Sequence, residues 1–512
     1  MTIAKERYDN LSSTRSQYLN LAEQASELTL PYLVREDETY NRSARNLITP
    51  YQSVGAKGVV TLASKLMLAL LPPQTSFFKL QVDEANLGKI ADPSIKSELD
   101  LSFSKIERNI LDSIAASDDR VIVHQALKHL VVAGNVLVYM ADEGLKLFPL
   151  NRYVVERDGD GNVTEIVTKE RISRKILEEE YDVQPSPPVE VNTSYTSDDD
   201  VDVYTYVKRE GKSYVWHQEV FDEVVEGSKG RAPIESSPWI VLRFQTVDGE
   251  SYGRGRVEEF MGDLKSLEAL SQALVEGSAA AAKVVFTVSP SSTTKPSTLA
   301  NAGNGAIIQG RPDDIGVVQV GKTADFATAY QMMLQLERRL SEAFLILTVR
   351  QSERTTAEEV RMTQMELEQQ LGGLFSLLTV DFLKPYLARK MSVFERSGQI
   401  PKLPKDIVRP VIVAGINALG RGQDQLSLGQ FLTTIAQTMG PNSIGTYINP
   451  EEVIKRLAAS QGIDTLNLIK TAEQRQQEQQ QAMQQAQQME LVKQQGKLAQ
   501  VQQEANASQQ NQ

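Results

Sequence analysis

GVVQVGKT, residues 316–323, fits the phosphate-binding loop pattern G-x-x-x-x-G-K-[ST] at every fixed position. Taken alone, the match has Gly316 and Gly321 shaping a loop, Lys322 reaching the β- and γ-phosphates of a nucleotide, and Thr323 holding Mg²⁺. Such a loop needs a buried strand before its first glycine, a glycine-rich turn, and a helix whose N-terminus faces the phosphates. Here the polar, turn-like GRPDDI leads into Gly316, and the variable positions Val317, Val318, Gln319 and Val320 favour an extended strand. A helical pattern does follow Thr323. No apolar strand ending in Asp offers the second carboxylate for the metal. The segment therefore reads as a strand running into a helix, with Gly316, Gly321, Lys322 and Thr323 at the junction and no nucleotide bound. A P-loop ATPase is the alternative reading of the same letters.

The bulk properties are ordinary for a soluble globular protein. A chain of 512 residues, 41% apolar and 23% charged, can bury large cores in roughly three domains. Its formal charge of −12 argues against a general nucleic-acid binder, which carries a basic face. It does not exclude a protein that DNA slides past, since repulsive walls prevent sticking. With no cysteine there is neither disulfide nor thiolate chemistry, and a reducing compartment is expected. The start, MTIAKERYDN, lacks the apolar run of a signal peptide. The most apolar stretch, LASKLMLALLPP, contains Lys65, stops at Pro72–Pro73, and falls short of the ~20 residues that span a bilayer.

Working outward from 316–323, two long helical patterns flank a β-like insert. The first, from 256, places Val257, Phe260, Leu264, Leu267 and Leu274 on one stripe before fading into GSAAAAKV. The second, to 347, carries Phe326, Tyr330, Met333, Leu336, Leu340, Phe344 and Leu347. Between them lie three short β-like runs, VVFTV, GAIIQG and GVVQV. Each helix has a stripe that one partner only half covers, which implies packing against neighbouring copies. Upstream, residues 4–29, 52–71 and 94–117 read as helices, and HQALKHLVVAGNVLVYM passes from helix to strand at Gly134. Two hairpins follow, one turning at Asp158–Asn162 and the other at Glu210–Lys212. A further long helix is expected from Thr356, at capping-box spacing to Glu359, to about residue 395, weakened or kinked at Gly372–Gly373 and Pro385. Residues 424–470 are again helical, and 471–512 hold 18 Gln in 42 positions.

Other sites dissolve on inspection. DGDGNVTEI begins like a calcium loop but has Val163 and Lys169 where Gly and Glu are required. His124 and His129 are five apart, off the spacing for two ligands on one helix face, and His217 falls in a strand. SYGRGR, 251–256, lacks the third glycine of a dinucleotide fingerprint. No catalytic residue, cofactor or metal is expected. The polar link LTVRQSERTTAEEV places Arg350 and Arg354 between two apolar helices. It reads either as a solvent-exposed loop or as a projecting loop whose arginines touch phosphates as DNA passes.

Six stretches, in order, carry a resemblance: PYQSVGAKGVVTLASKLMLALLPPQT, ALKHLVVAGNVLVY, VDGESYGRGRVEEFMGDLKSLEAL, GRPDDIGVVQVGKTADF, TTAEEVRMTQMELEQQLGG and INALGRGQDQ, spanning residues 50 to 425. Together they resemble the portal (head-to-tail connector) proteins of short-tailed double-stranded DNA bacteriophages, the podovirus type. The Gln-rich end matches only in composition. The resemblance implies a mixed α+β, predominantly helical fold assembled as a dodecameric ring. In that scheme residues 1–255 form a wing, 256–285 and 323–347 a two-helix stem, and 286–322 a β-containing clip. Residues 348–354 form the channel loop with Arg350 and Arg354, 355–423 a long wing helix and return, and 424–512 a helical crown with the Gln-rich tail. It further implies a channel for DNA packaging and ejection at one capsid vertex of the virion, assembled in the host bacterial cytoplasm. Implied partners are double-stranded DNA, the terminase large subunit, a tail adaptor, the major capsid protein, scaffolding protein and internal core proteins. The alternatives are the packaging ATPase itself and a coiled-coil scaffold, which suits the tail but not the β-rich middle.

Overall fold

The structure, a computed structural model, describes residues 4–35, 47–72, 76–82, 93–141, 144–173, 200–282, 285–303, 305–318, 323–346, 373–401, 408–412 and 421–440, with 448, 453 and 454 besides. The chain divides into two units, Met1–Ala418 and Leu419–Gln512.

The first unit opens with helices that the apolar spacing dictates. They are α1 (Ala4–Glu27) and α2 (Val54–Leu70), then, after strand β1 (Phe78–Val82), α3 (Pro93–Ala116) and α4 (Asp119–Ala133). Gly134 ends α4 in the left-handed region, φ 70°, and its N–H caps the Leu130 carbonyl. The chain then turns straight into β2 (Asn135–Met140), the helix-to-strand switch expected at that glycine.

Strand β2 is the middle of a three-stranded antiparallel sheet with β3 (Leu145–Phe148) and, from far along the chain, β10 (Trp239–Arg243). The larger sheet runs β4 (Tyr153–Arg157), β5 (Val163–Ser173), β6 (Asp200–Glu210), β7 (Ser213–Val220) and β8 (Glu223–Val224), with β9 (Gly230–Pro233) also on β7. Both expected hairpins are present. At the first turn the Asp158 carboxylate accepts the Asp160 and Asn162 N–H groups at 3.1 and 2.8 Å, so its oxygens close a turn.

Next come a single turn α5 (Arg256–Glu259), α6 (Met261–Ala282), β11 (Val285–Val288), the short α7 (Pro296–Ala300), β12 (Ile315–Val318) and α8 (Thr323–Ala343). The first long helix is thus broken at Phe260, and the pair ends short of residues 285 and 347. Only two of the three expected β-like runs pair, β11 with β12; GAIIQG forms no strand, and Ile307 is fully exposed there. After residue 373 the chain is helical through a π-turn (Thr379–Leu383) into α9 (Lys384–Arg396), and β13 (Val408–Ile412) pairs back on β1. The kink expected at Pro385 takes the form of this widened turn. The capping pair Thr356–Glu359, Gly372 and the tail 471–512 lie outside the described residues. In the second unit the described helix is α10 (Arg421–Met439).

One apolar core joins these elements in the first unit. Leu62, Leu66 and Leu70 of α2, Leu127 and Leu130 of α4, Leu264 and Leu267 of α6, Leu340 of α8 and Leu387 of α9 are all buried in it. Each buried leucine contributes roughly 1.5–3 kcal/mol relative to exposure. A second cluster lies between the two sheets and α1, around Tyr153, Trp239 and Tyr252. Between α4 and α9 the fully buried Asp119 carboxylate accepts the Tyr386 hydroxyl at 2.6 Å and the Lys390 ammonium at 2.8 Å through the same oxygen.

Two tests follow from the α4 packing. His129 is fully buried with its Nδ1 unpartnered, and burial, with a smaller contribution from Lys128, depresses its pKa to about 4. The unfolded imidazole titrates near its ordinary value of 6.5, so the chain gains a proton on unfolding between these values. Stability is fully present above pH 6.5 and falls as pH drops toward 4, by on the order of 3 kcal/mol. Urea unfolding across that range should show the loss, and His129→Leu should flatten it. Asp119→Ala strands Lys390 and the Tyr386 hydroxyl and should cost about 3–5 kcal/mol in the same assay at pH 7.

Candidate functional site: the helix pair and its β insert

The pair α6–α8 runs antiparallel, as its cross-contacts require. Arg339 bonds Asp263 at 3.0 Å near one end, and Gly277 faces Phe326 near the other. A Cβ on Gly277 would stand 2.6 Å from the Phe326 ring, so glycine lets the helices approach there. The end nearest the core is anchored by Leu264, Leu267, Leu336, Leu340 and Phe344, all buried. Beyond it the apolar groups face outward: Val275 is 56% exposed, Tyr330 49% and Met332 52%, and Phe286 of the β insert is 56% exposed. Among the described residues, no apolar side chain of this outer half is buried.

The base is fixed by a knot that joins two distant motifs. The Asn135 carboxamide, at the start of β2, accepts the Gly253 N–H at 2.7 Å and donates to the Gly253 carbonyl at 2.7 Å and the Ala133 carbonyl at 3.0 Å. SYGRGR is thus a backbone crossing and not a nucleotide loop. Its two arginines brace the entry to the first helix. Arg254 pairs with Glu250 and Glu258 at 2.7 and 2.8 Å and lies over the Tyr18 ring. Arg256 pairs with Glu259 at 2.7 Å and also donates to the Ala343 carbonyl at 3.2 Å, at the end of α8.

That end is capped from outside. Leu345 has φ 56°, the left-handed conformation that glycine usually supplies at a helix stop, and the Ile346 N–H returns to the Ser341 carbonyl at 2.7 Å. Lys65 of α2 donates to the Leu345 carbonyl at 2.5 Å; burial lowers its pKa, and the cation faces the negative end of the helix. In the sequence Lys65 is only an interruption of an apolar run, with no signal for this contact. The signal for the knot was present, in GN at 134–135 and GRG at 253–255, but nothing in the sequence says that the two meet.

The phosphate-loop reading can be judged at Gly316. It lies inside β12, paired antiparallel with Thr287, whose hydroxyl donates to the Gly316 carbonyl at 3.2 Å. The loop's first glycine must instead begin the turn that wraps a phosphate. Thr323 begins α8. Gly321, Lys322, Arg350 and Arg354 lie outside the described residues. The histidines are not brought together: His124 is near Ser64 at 3.2 Å, and His217 hydrogen-bonds Glu219 at 2.9 Å. Among the described residues no three acidic or histidine side chains could hold a metal, and no helix is long and apolar enough to cross a membrane.

The described body is mixed helix and sheet, with a pair of long helices and an intervening β ribbon. The chain belongs to the bacteriophage head to tail connecting protein family, which it matches over residues 2–469. It is 38% identical over 485 residues to the portal protein of Escherichia phage T7, covering 93% of this chain and 89% of that one. It is 39% identical over 483 residues to the portal protein of Enterobacteria phage T3, covering 92% and 89%. Pseudomonas phage phiKMV has a portal protein 28% identical over 470 residues, with 89% and 90% covered. Among solved structures, a chain from the neck of an empty GTA particle aligns at 12% identity and a TM-score of 0.40, over 79% of this chain and 90% of that one.

Asn135→Ala removes three hydrogen bonds and leaves the Gly253 amide and carbonyl buried without partners. It should cost about 2–4 kcal/mol in denaturant unfolding. Asn135→Asp, which keeps the acceptor but turns a donor into a second acceptor against the Gly253 carbonyl, should cost as much or more.

Proposed function

We propose that this chain is a portal protein, a subunit of a ring at one vertex of a phage head through which double-stranded DNA is packaged and later ejected. Beyond family membership, one observation carries the reading: among the described residues, the outer half of the α6–α8 pair and its β ribbon bury no apolar side chain. A two-stranded ribbon is marginally stable alone, and exposed Tyr330, Met332, Val275 and Phe286 need cover that neighbouring copies provide. The mechanism is physical. The ring guides DNA while a separate ATPase drives it.

In this reading residues 1–255 and 355–423 build the wing, 256–285 and 323–347 the stem, 286–322 the clip, and 424–512 the crown. Gly316, Gly321, Lys322 and Thr323 mark the clip–stem junction and bind no nucleotide. The ring is a dodecamer that nucleates head assembly with scaffolding protein in the host cytoplasm. In the virion it contacts the major capsid protein, with internal core proteins as a further partner. The terminase large subunit and then a tail adaptor dock on the clip. Twelve copies at −12 each carry −144, so most of the surface repels DNA. Arg350 and Arg354, in the loop 348–354, supply salt-dependent phosphate contacts that slow back-slippage without immobilising the duplex.

Negative-stain images of the purified chain should show rings, with no ATP turnover and no change on Lys322→Ala. Monomers that hydrolyse ATP, with turnover abolished by Lys322→Ala, would overturn the reading in favour of the motor. Replacing both Arg350 and Arg354 with Ala should leave rings intact and alter DNA retention in packaging assays; normal packaging and retention would remove those residues from the mechanism.

A further inference from the structure

Among the described residues, three that are not glycine have positive φ: Phe221 and Asp222, which turn the exposed β7–β8 hairpin, and Leu345 at 56°. A left-handed leucine crowds its Cβ against the following carbonyl, and such a residue persists only where its surroundings hold it. Leu345 is 8% exposed, with its side chain in the main core. It stops α8: the Phe344 N–H bonds the Leu340 carbonyl at 2.9 Å, and the Ile346 N–H crosses back to the Ser341 carbonyl at 2.7 Å. Glycine would make the same stop without crowding.

One face of α2 meets that stop. Gly58, Leu62 and Lys65 lie on successive turns of the helix. A Cβ on Gly58 would stand 2.7 Å from the Phe344 ring, so glycine seats that ring. Leu62 lines a cavity of about 420 Å³ with Ala343 and Leu345, which leaves Leu345 space on one side. Lys65 is half-buried and donates to the Leu345 carbonyl at 2.5 Å. Among the described residues its ammonium has no other hydrogen bond and no carboxylate partner. A cation taken from water without a counter-charge is costly, and methionine would fill the same space without that cost. Packing alone therefore does not call for a lysine here; the carbonyl at the negative end of α8 does.

We propose that Lys65 is a positioning residue for the chain that leaves α8: its bond keeps Leu345 left-handed and so sets the direction in which that chain departs. The consequence for DNA rests on the portal reading, in which the loop 348–354 follows at once with Arg350 and Arg354. Without the bond, Leu345 relaxes to negative φ, using the space of the adjoining cavity, and the stop at Ile346 opens. Lys65 thus acts on the loop through Leu345 and touches no phosphate itself.

Lys65→Met keeps the apolar stem and removes the donor, whereas Lys65→Arg keeps a donor. In the full chain, hydrogen exchange read by mass spectrometry over residues 340–346 should be about tenfold faster in Lys65→Met. Its melting temperature should stay within a few degrees of the parent, and exchange in α4 should be unchanged. Lys65→Arg should exchange like the parent. Leu345→Gly should make the lysine dispensable, because glycine holds φ 56° unaided; adding Lys65→Met to it should not quicken exchange further. A lysine that serves stability alone predicts the opposite, a rise through the whole core and additive effects. Should Leu345→Gly fail to fold, the contrast between Met and Arg at 65 decides. Parental exchange in Lys65→Met, a core-wide rise, or a further rise on the Leu345→Gly background would each overturn the proposal. Exchange is read whether or not the chain forms rings, so this failure is distinct from failure of the portal reading. Rings of Lys65→Met should alter DNA retention as the Arg350 and Arg354 double variant does, and parental retention would overturn the link to the loop.

Discussion

The crossing of two backbone segments at Asn135 is the constraint from which the rest of the molecule is laid out. One carboxamide holds both polar groups of Gly253 and the last carbonyl of α4. It thereby fixes a helix end, a central strand and the approach to the projecting pair with respect to one another. The geometry demands a glycine at 134, since φ is 70° and a Cβ there would meet the Arg254 backbone at 2.5 Å. Buried at 1% exposure, Asn135 excludes water that would compete for those bonds.

From that root the base of the helix pair is braced by charge as well as by the buried Leu264, Leu267, Leu336, Leu340 and Phe344. Arg254 and Arg256 grip the glutamates at the entry, while Arg256 and Lys65 approach the last carbonyls of α8. Cations at a helix C-terminus are favoured by the aligned peptide dipoles, more so where water is partly excluded. The projecting half can therefore stay exposed in an isolated subunit while its base remains firmly set.

Buried polar contacts also decide where the body is rigid. Asp119 ties α4 to α9 through two charge-assisted bonds on one oxygen, a geometry that holds only while both partners remain in place. Immediately before it, the helix carries a π-turn just ahead of Pro385, with Phe382 and Leu383 buried in the core.

Much of this was legible in the chain. Apolar spacing gave α1, α2, α3 and the pair α6–α8; turn chemistry gave both hairpins; Gly134 gave the helix-to-strand switch. The flanks of GVVQVGKT were enough to read Gly316 as part of a strand, and Thr287 is the partner that reading required. The run GAIIQG forms no strand because β-propensity describes fit to a neighbouring strand, and among the described residues it has none. The knot at Asn135, the Lys65 cap and the Asp119 cluster were illegible for one reason: each joins residues more than a hundred positions apart, and spacing along the chain says nothing about who meets whom across the core. The sequence by itself determined the local elements, the family and the absence of thiol chemistry. The tertiary structure decided which glycines are crossings, which charges are caps and where the long helix widens into a π-turn, because those depend on burial and distance.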